Sequence, residues 1–417
     1  MNGFALIGLV LGVTAVLAWI NERWFKMPTA IGVMAGALAL SFSLFGLEAA
    51  GILADTWANR LIEQVDLGDV LMQGMLSFLL FAGAMHVDLG DLRDRKWSIG
   101  ILATVGVVSS TFLVGTLFWL IAPFFGFEIP WIWALAFGAL ISPTDPIAVL
   151  GVMKSAKAPP TLRSMVAGES LFNDGVGVVV FTVIAGLLSG GHLDATHVGE
   201  LFVVEALGGV VFGLVLGWIA YRMLKTIDKH PVEILITVAL VSGGYALAGI
   251  LHTSGPIAMV VAGLFMGNHG RFFGMSDDTR EALDGFWEVV DEILNAILFV
   301  MIGLELLVLA FSGQRVLLGL ATIPLVLVMR FVAVGIPISA LRKIRDYLPH
   351  TVKLMTWCGV RGGISIALAL ALPESPYREV ILSVTYSVVV FSVLVQGLTV
   401  GAAVRGALGE GPSVHRP

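Results

Sequence analysis

Apolar residues in this chain gather into long runs separated by short polar connections. Taking runs of about 20 such residues as membrane-crossing helices, thirteen are predicted. They fall near 4–20, 28–46, 68–87, 98–121, 130–152, 163–189 and 199–221, then 232–251, 254–268, 291–311, 316–341, 350–372 and 377–404. One further stretch, 276–290, has apolar positions at Ala282, Leu283, Phe286, Val289 and Val290 beside Asp277, Asp278 and Glu281. That spacing predicts an amphipathic helix at the membrane surface or a plain connector between the ninth and tenth spans.

The basic residues test the count. If alternate connections share a side, 19 of the 24 lysines and arginines fall on one side. The other side holds only Arg60, Arg315 and Arg378, while Arg330 and Arg361 lie inside spans. Basic residues collect on the cytoplasmic side, so the N-terminus is expected outside and the C-terminus inside. The first run lacks a basic segment before it and reads as a retained helix rather than a cleaved signal.

Thirteen spans permit an internal symmetry. The first six would start outside and the last six inside, so two inverted six-helix repeats are expected, bridged by the seventh. The fifth span is interrupted near its middle at Ser142 to Pro146 (SPTDP), and its counterpart, the twelfth, at Cys358 to Gly363 (CGVRGG). The fold class expected is therefore all-α and polytopic, with two discontinuous helices at corresponding positions.

Composition agrees. The 417 residues are 57% hydrophobic and 13% charged, against roughly 25% charged in a soluble domain. A net charge of -6 argues against a nucleic-acid partner. The single cysteine, Cys358, excludes an intramolecular disulfide framework. The chain carries no G-x-S-x-G, no H-E-x-x-H and no histidine in its central motifs, so no enzyme and no cofactor are expected.

The candidate chemistry lies in charges placed where charge is costly. The sixth span contains GESLFNDGVGVVV, residues 168–180. In a helix, Ser170 and Asp174 share one face, and Glu169 and Asn173 another. Asp174 lies about 11 residues from the end of its span, roughly 16 Å and close to mid-bilayer. In SPTDP, Pro143 and Pro146 should unwind the helix and free carbonyls around Thr144, a geometry tolerated at membrane depth only inside protein or along a cavity. Asp145 could cap the half-helix that follows. Asp174, the Ser170 hydroxyl and the Thr144 carbonyl could together ligate a small hard cation, with Asn173 positioning the site. Glu169 and Arg361 are expected to form a buried ion pair. Arg330, on the eleventh span, would balance core charge or snorkel to the interface.

GALISPTDPIAVLGV, GESLFNDGVGVVVF and WCGVRGGISIALALALP closely resemble the bacterial NhaP-type members of the CPA1 (monovalent cation:proton antiporter 1) family, across about residues 5 to 405. The resemblance implies an NhaA/NhaP-like fold with crossed discontinuous helices, and a homodimer. It implies dimerisation helices near 1–97 and 199–311, a moving core near 98–198 and 312–405, and a short tail at 406–417. Asp174 and Asn173 match the family's carrier aspartate and the asparagine before it, an Asn-Asp pair that resembles the electroneutral branch. Thr144, Asp145 and Ser170 match its site positions, and Glu169 and Arg361 its buried pair. Where many relatives carry an acid in an LLFEGA-like run, this chain has Ala82. His86 and Asp88 follow, with His86 expected as an interfacial residue. No large regulatory domain is expected.

The expected function is exchange of Na+ or Li+ for H+ across the inner membrane, with Asp174 carrying either ligand by alternating access. A K+/H+ or broader monovalent exchanger is the competing reading, favoured by Ala82. Membrane lipid is the other expected partner. Gly209, Gly213 and Gly217, and likewise Gly8 and Gly12, are spaced for close helix packing, either across a dimer or within one protomer.

Overall fold

The computed structural model describes residues 3–51, 74–188, 195–305 and 312–408. Parts of the predicted runs at 68–73, 189 and 306–311, and the tail from 409, lie outside the described residues. Helices make up the fold. In chain order they are α1 (Gly3–Ile20), α2 (Thr29–Ala49), α3 (Leu76–Met85), α4 (Leu89–Ile101), α5 (Val107–Ile121), α6 (Trp131–Leu140), α7 (Ile147–Ser155), α8 (Pro160–Leu188) and α9 (Ala195–Leu224). After them come α10 (His230–Ile250), α11 (Gly255–Phe265), α12 (Asp277–Glu305), α13 (Gly313–Leu341), α14 (Thr351–Trp357), α15 (Gly363–Leu370), α16 (Pro376–Phe391) and α17 (Gly397–Ala407).

Among the described residues, eight helical stretches are long and apolar enough to cross a membrane. The other five predicted runs meet helices that are short, broken or acid-bearing, for local reasons. The fifth run divides into α6 and α7 because Pro143 and Pro146 remove backbone donors. The twelfth divides into α14 and α15 across a glycine-rich stretch. The tenth is α12, which takes in 276–290 instead of leaving a separate surface helix or connector. Buried Trp287 anchors that half of α12: its ring lies 4.8 Å from Phe81 and 5.9 Å from Phe78 on α3, and its Nε1 donates to Thr237 on α10 at 3.1 Å.

The largest packing contacts fall into two sets, joined where α8 meets α9 and α11. In one, α5 lies against α6, α8 against α6 and α4, and α13 against α16 and α5. In the other, α9 lies against α11, α11 against α3, and α12 against α2 and α1. The α9 glycines serve this second set. A Cβ on Gly209 would meet the Ser254 carbonyl at 2.8 Å, and one on Gly217 would meet the Phe265 ring at 3.1 Å. That stripe is therefore used inside the protomer, whereas a Cβ on Gly8 or Gly12 would meet nothing within 4 Å.

Candidate functional site

The two broken helices cross, and each completes the other. Unwinding between α6 and α7 leaves the carbonyls of Ser142 and Pro143 without helical partners. Arg361, in the break between α14 and α15, donates through Nη1 to both, at 2.9 Å for Pro143. In return the Asp145 amide donates to the Val360 carbonyl at 2.7 Å. These carbonyls end α6, where the helix dipole is negative, so a guanidinium is favoured there. Asp145 precedes α7, and its carboxylate lies against Gly362, which opens α15. It therefore sits beside two positive helix ends. A Cβ on Gly362 would come within 2.7 Å of the Asp145 Cγ, so the crossing requires a glycine there.

The end of α16 holds the break from behind. A π-turn over Ser392–Gln396 brings Ser392 Oγ to accept from the Arg361 amide at 2.9 Å. Ser392 donates in turn to Gln396, whose Nε2 donates to the Trp357 carbonyl at 3.0 Å. Sequence reasoning missed Ser392 and Gln396. Gln396, a polar residue in an apolar run, was the available signal.

The expected Glu169–Arg361 pair is corrected by the structure. Glu169 pairs with Arg330 on α13. Arg330 Nη2 donates to Oε2 at 2.7 Å, and Nη1 sits 2.5 Å from Oε1 as an ionic contact. Arg361 instead donates through Nη1 to carbonyls, while its buried Nη2 has no hydrogen-bond partner and the side chain no ion pair among the described residues. Both arginines are buried. Gly359 lets Arg330 lie on the broken backbone, since a Cβ there would meet its Nε at 2.8 Å.

Ser170 and Asn173 face the same way, onto Thr144. The Thr144 amide donates to Asn173 Oδ1 at 3.2 Å, and Asn173 Nδ2 donates to the Thr144 hydroxyl at 2.8 Å. The Thr144 and Ser170 hydroxyls lie 2.9 Å apart. All three side chains are buried. They tie α8 to the first break and stand behind the two aspartates rather than beside them in the cavity.

Asp145 and Asp174 line a cavity of about 620 Å³ that also meets Gly363. Its other wall is α3, at Gly83 and His86, and the acid-bearing face of α12. Asp174 Oδ1 is buried and has no hydrogen-bond partner among the described residues. A buried carboxylate oxygen with no protein partner calls for a specific explanation, such as a water or an ion. Ala82 is fully buried and does not line the cavity, although the neighbouring Gly83 does. His86 lines it too, with Nδ1 2.8 Å from the Ala82 carbonyl. Asp88 caps α4 by accepting from the Gly90 amide at 2.6 Å. Among the described residues, no group of three or more His, Cys, Asp or Glu side chains could hold a metal ion. What Asp174 itself offers the cavity is hard carboxylate oxygen.

A structure with these features defines a class: a polytopic helical protein with two crossed broken helices and an intramembrane carboxylate at a cavity. The transmembrane model of the sodium/hydrogen exchanger family matches residues 12–406, and the chain belongs to that family. It is 51% identical to the Na+/H+ antiporter NhaP of Pseudomonas aeruginosa over 408 residues, 96% of each chain. It is 35% identical to the Na+/H+ antiporter NhaH of Halobacillus dabanensis, over 88% of this chain and 90% of that one. The fold matches that of the sodium proton antiporter MjNhaP1 from Methanocaldococcus jannaschii with a TM-score of 0.77. That match has 21% identity and covers 98% of this chain and all of the other.

Proposed function

We propose that this protein is a secondary active transporter exchanging Na+ for H+, with Asp174 as the shared carrier. The observation that carries this reading is the buried, partnerless Asp174 Oδ1 at the cavity beside the crossing. A carboxylate there can hold a proton or a cation, but not both at full strength. Asp145 contributes a second negative charge on the same wall. The Ser170 hydroxyl and the Thr144 carbonyl would join the cation's shell if the Thr144–Ser170 bond opened. The names of the antiporter relatives support the ion pair, and Li+ would share the Na+ site.

Exchange is electroneutral in this reading, supported by the Asn173–Asp174 pair. One aspartate binds one proton or one monovalent cation, and Asn173 stays neutral, tied to Thr144. We place the protein in a bacterial inner membrane with its N-terminus outside, following the basic connections. Under that orientation the cavity mouth on α12 opens to the cytoplasm. The two packing sets support a division into a moving core, near 98–198 and 312–405, and a dimerisation unit, near 1–97 and 199–311, except that α4 packs with the core on α8. A homodimer would hold the second while the first carries Asp174 across, as in an elevator. A K+/H+ or broader monovalent exchanger is the second reading, favoured by Ala82.

The deciding experiment follows proton efflux from acid-loaded proteoliposomes on addition of Na+, Li+ or K+, for wild type beside Asp174→Asn. A sodium signal that is lost in the variant and indifferent to clamped potential is expected. A response to potassium alone would move the assignment to K+/H+. A variant that still exchanges would refute Asp174 as carrier.

A further inference from the structure

The cavity-facing acids of α12 are not equivalent. Asp284 is bonded to Arg271, 2.7 Å away. Glu288 and Glu292 are exposed and solvated. Asp291 and Asn295 differ from all of these. Asp291 Oδ1 and Asn295 Oδ1 are both buried, both belong to cavity-lining residues, and neither has a hydrogen-bond partner among the described residues. Asn295 is only 3% exposed. Its orientation is set by chemistry: Nδ2 donates to the Asp291 carbonyl at 2.8 Å. A flipped amide would set oxygen against oxygen, so Oδ1 must turn away from that carbonyl.

Two buried oxygens four residues apart lie on one helix face. Leaving both oxygens unpaired is costly, and among the described residues no donor meets either one, although the Asn295 amide does reach the Asp291 carboxylate. A cation would satisfy both at once. We propose that Asp291 and Asn295 form a second cation site, taking a partly hydrated monovalent alkali cation on its way between the mouth and Asp174. One carboxylate and one amide oxygen offer a single negative charge and hard oxygen ligands, and retained water completes the shell. Asp145, Glu292 and His86 lie within electrostatic reach of Asp291, so the next negative charge inward is at the crossing itself. Leu298, one turn beyond Asn295, already touches Gly363. The site therefore stands about one helical turn from the broken helices, at the inner end of the acidic face.

Only the transport arm of the test rests on the antiport reading, because binding is measured separately. Radiolabelled sodium binding to the detergent-purified full chain is compared for Asp174→Asn and Asp174→Asn/Asp291→Asn. The single variant should keep a weak sodium-binding component, and the double variant should lose it. In proteoliposomes, Asp291→Asn should raise the KM for sodium about tenfold with less than about a twofold change in plateau rate. Asn295→Asp, which adds a carboxylate to the same pair of positions, should lower that KM. Asp291→Asn with unaltered KM and residual binding, together with an Asn295→Asp variant of unchanged KM, would overturn the proposal. A wild type that exchanges nothing would sink the antiport reading, and the binding comparison would still decide this one.

Discussion

Arg330 holds Glu169 across the core, from α13 to α8, with the aligned bond at 2.7 Å and the second ionic contact at 2.5 Å. Both residues are at most 5% exposed, so neither charge has water to fall back on. Removing either partner leaves the other buried and uncompensated, at a cost of about 3–5 kcal/mol.

The pairing is tested by a double-mutant cycle on thermal unfolding in detergent. Glu169→Ala and Arg330→Ala should each lower the melting temperature strongly. Their combination should be much less damaging than the sum, with a coupling above about 1 kcal/mol. Glu169→Ala with Arg361→Ala should be closer to additive. The opposite ranking would return Arg361 to the pair.

Asn173 satisfies the Thr144 amide and donates to its hydroxyl. Asn173→Ala strands a buried donor, which costs about 1–3 kcal/mol, and frees the first break to shift. Lower thermal stability is expected together with a higher KM for the cation. Stability and transport both equal to wild type would remove Asn173 from the site.

At the crossing, neighbouring glycines should answer differently to alanine. Gly362→Ala drives a methyl group into Asp145, whose Cβ would lie 2.6 Å away. Gly363→Ala meets the branched end of the Leu298 side chain first, which can turn away. Overpacking costs about 1–3 kcal/mol where neighbours cannot yield, so exchange should fall further in Gly362→Ala, as read from initial rates at matched expression.

Trp287 fixes the N-terminal half of α12 to α3 and α10. Trp287→Ala removes a fully buried side chain, at about 3–5 kcal/mol, and the bond to Thr237. A marked drop in melting temperature is expected, whereas Trp287→Phe, which restores most of the volume, should recover most of the loss.

Helices and breaks were legible because their causes are local. Pro143 and Pro146 interrupt a helix wherever it lies, and the glycines from Gly359 to Gly363 do the same for its counterpart. Partner choice was not local. Glu169 had two buried arginines within the chain, and the need for a partner says nothing of which one. That depends on the depth and rotation of α8 against α13 and α14. Likewise, face-sharing at i and i+4 grouped Ser170 with Asp174, while the tertiary position of Thr144 groups Ser170 with Asn173. The acidic half of α12 reads in sequence as a connector or a surface helix because its second wall, α3, is distant in sequence.

The reciprocal bonds at the crossing carry a mechanical consequence. Asp145 is held by Val360, and Ser142 and Pro143 by Arg361, so neither break can slide without tearing the other's backbone bonds. Two segments more than 200 residues apart in the chain are thereby clasped into one stiff joint. If Asp174 turns toward the opposite side as proposed, a joint of this kind favours movement along a softer seam, such as the contact of the Leu298 side chain with Gly363.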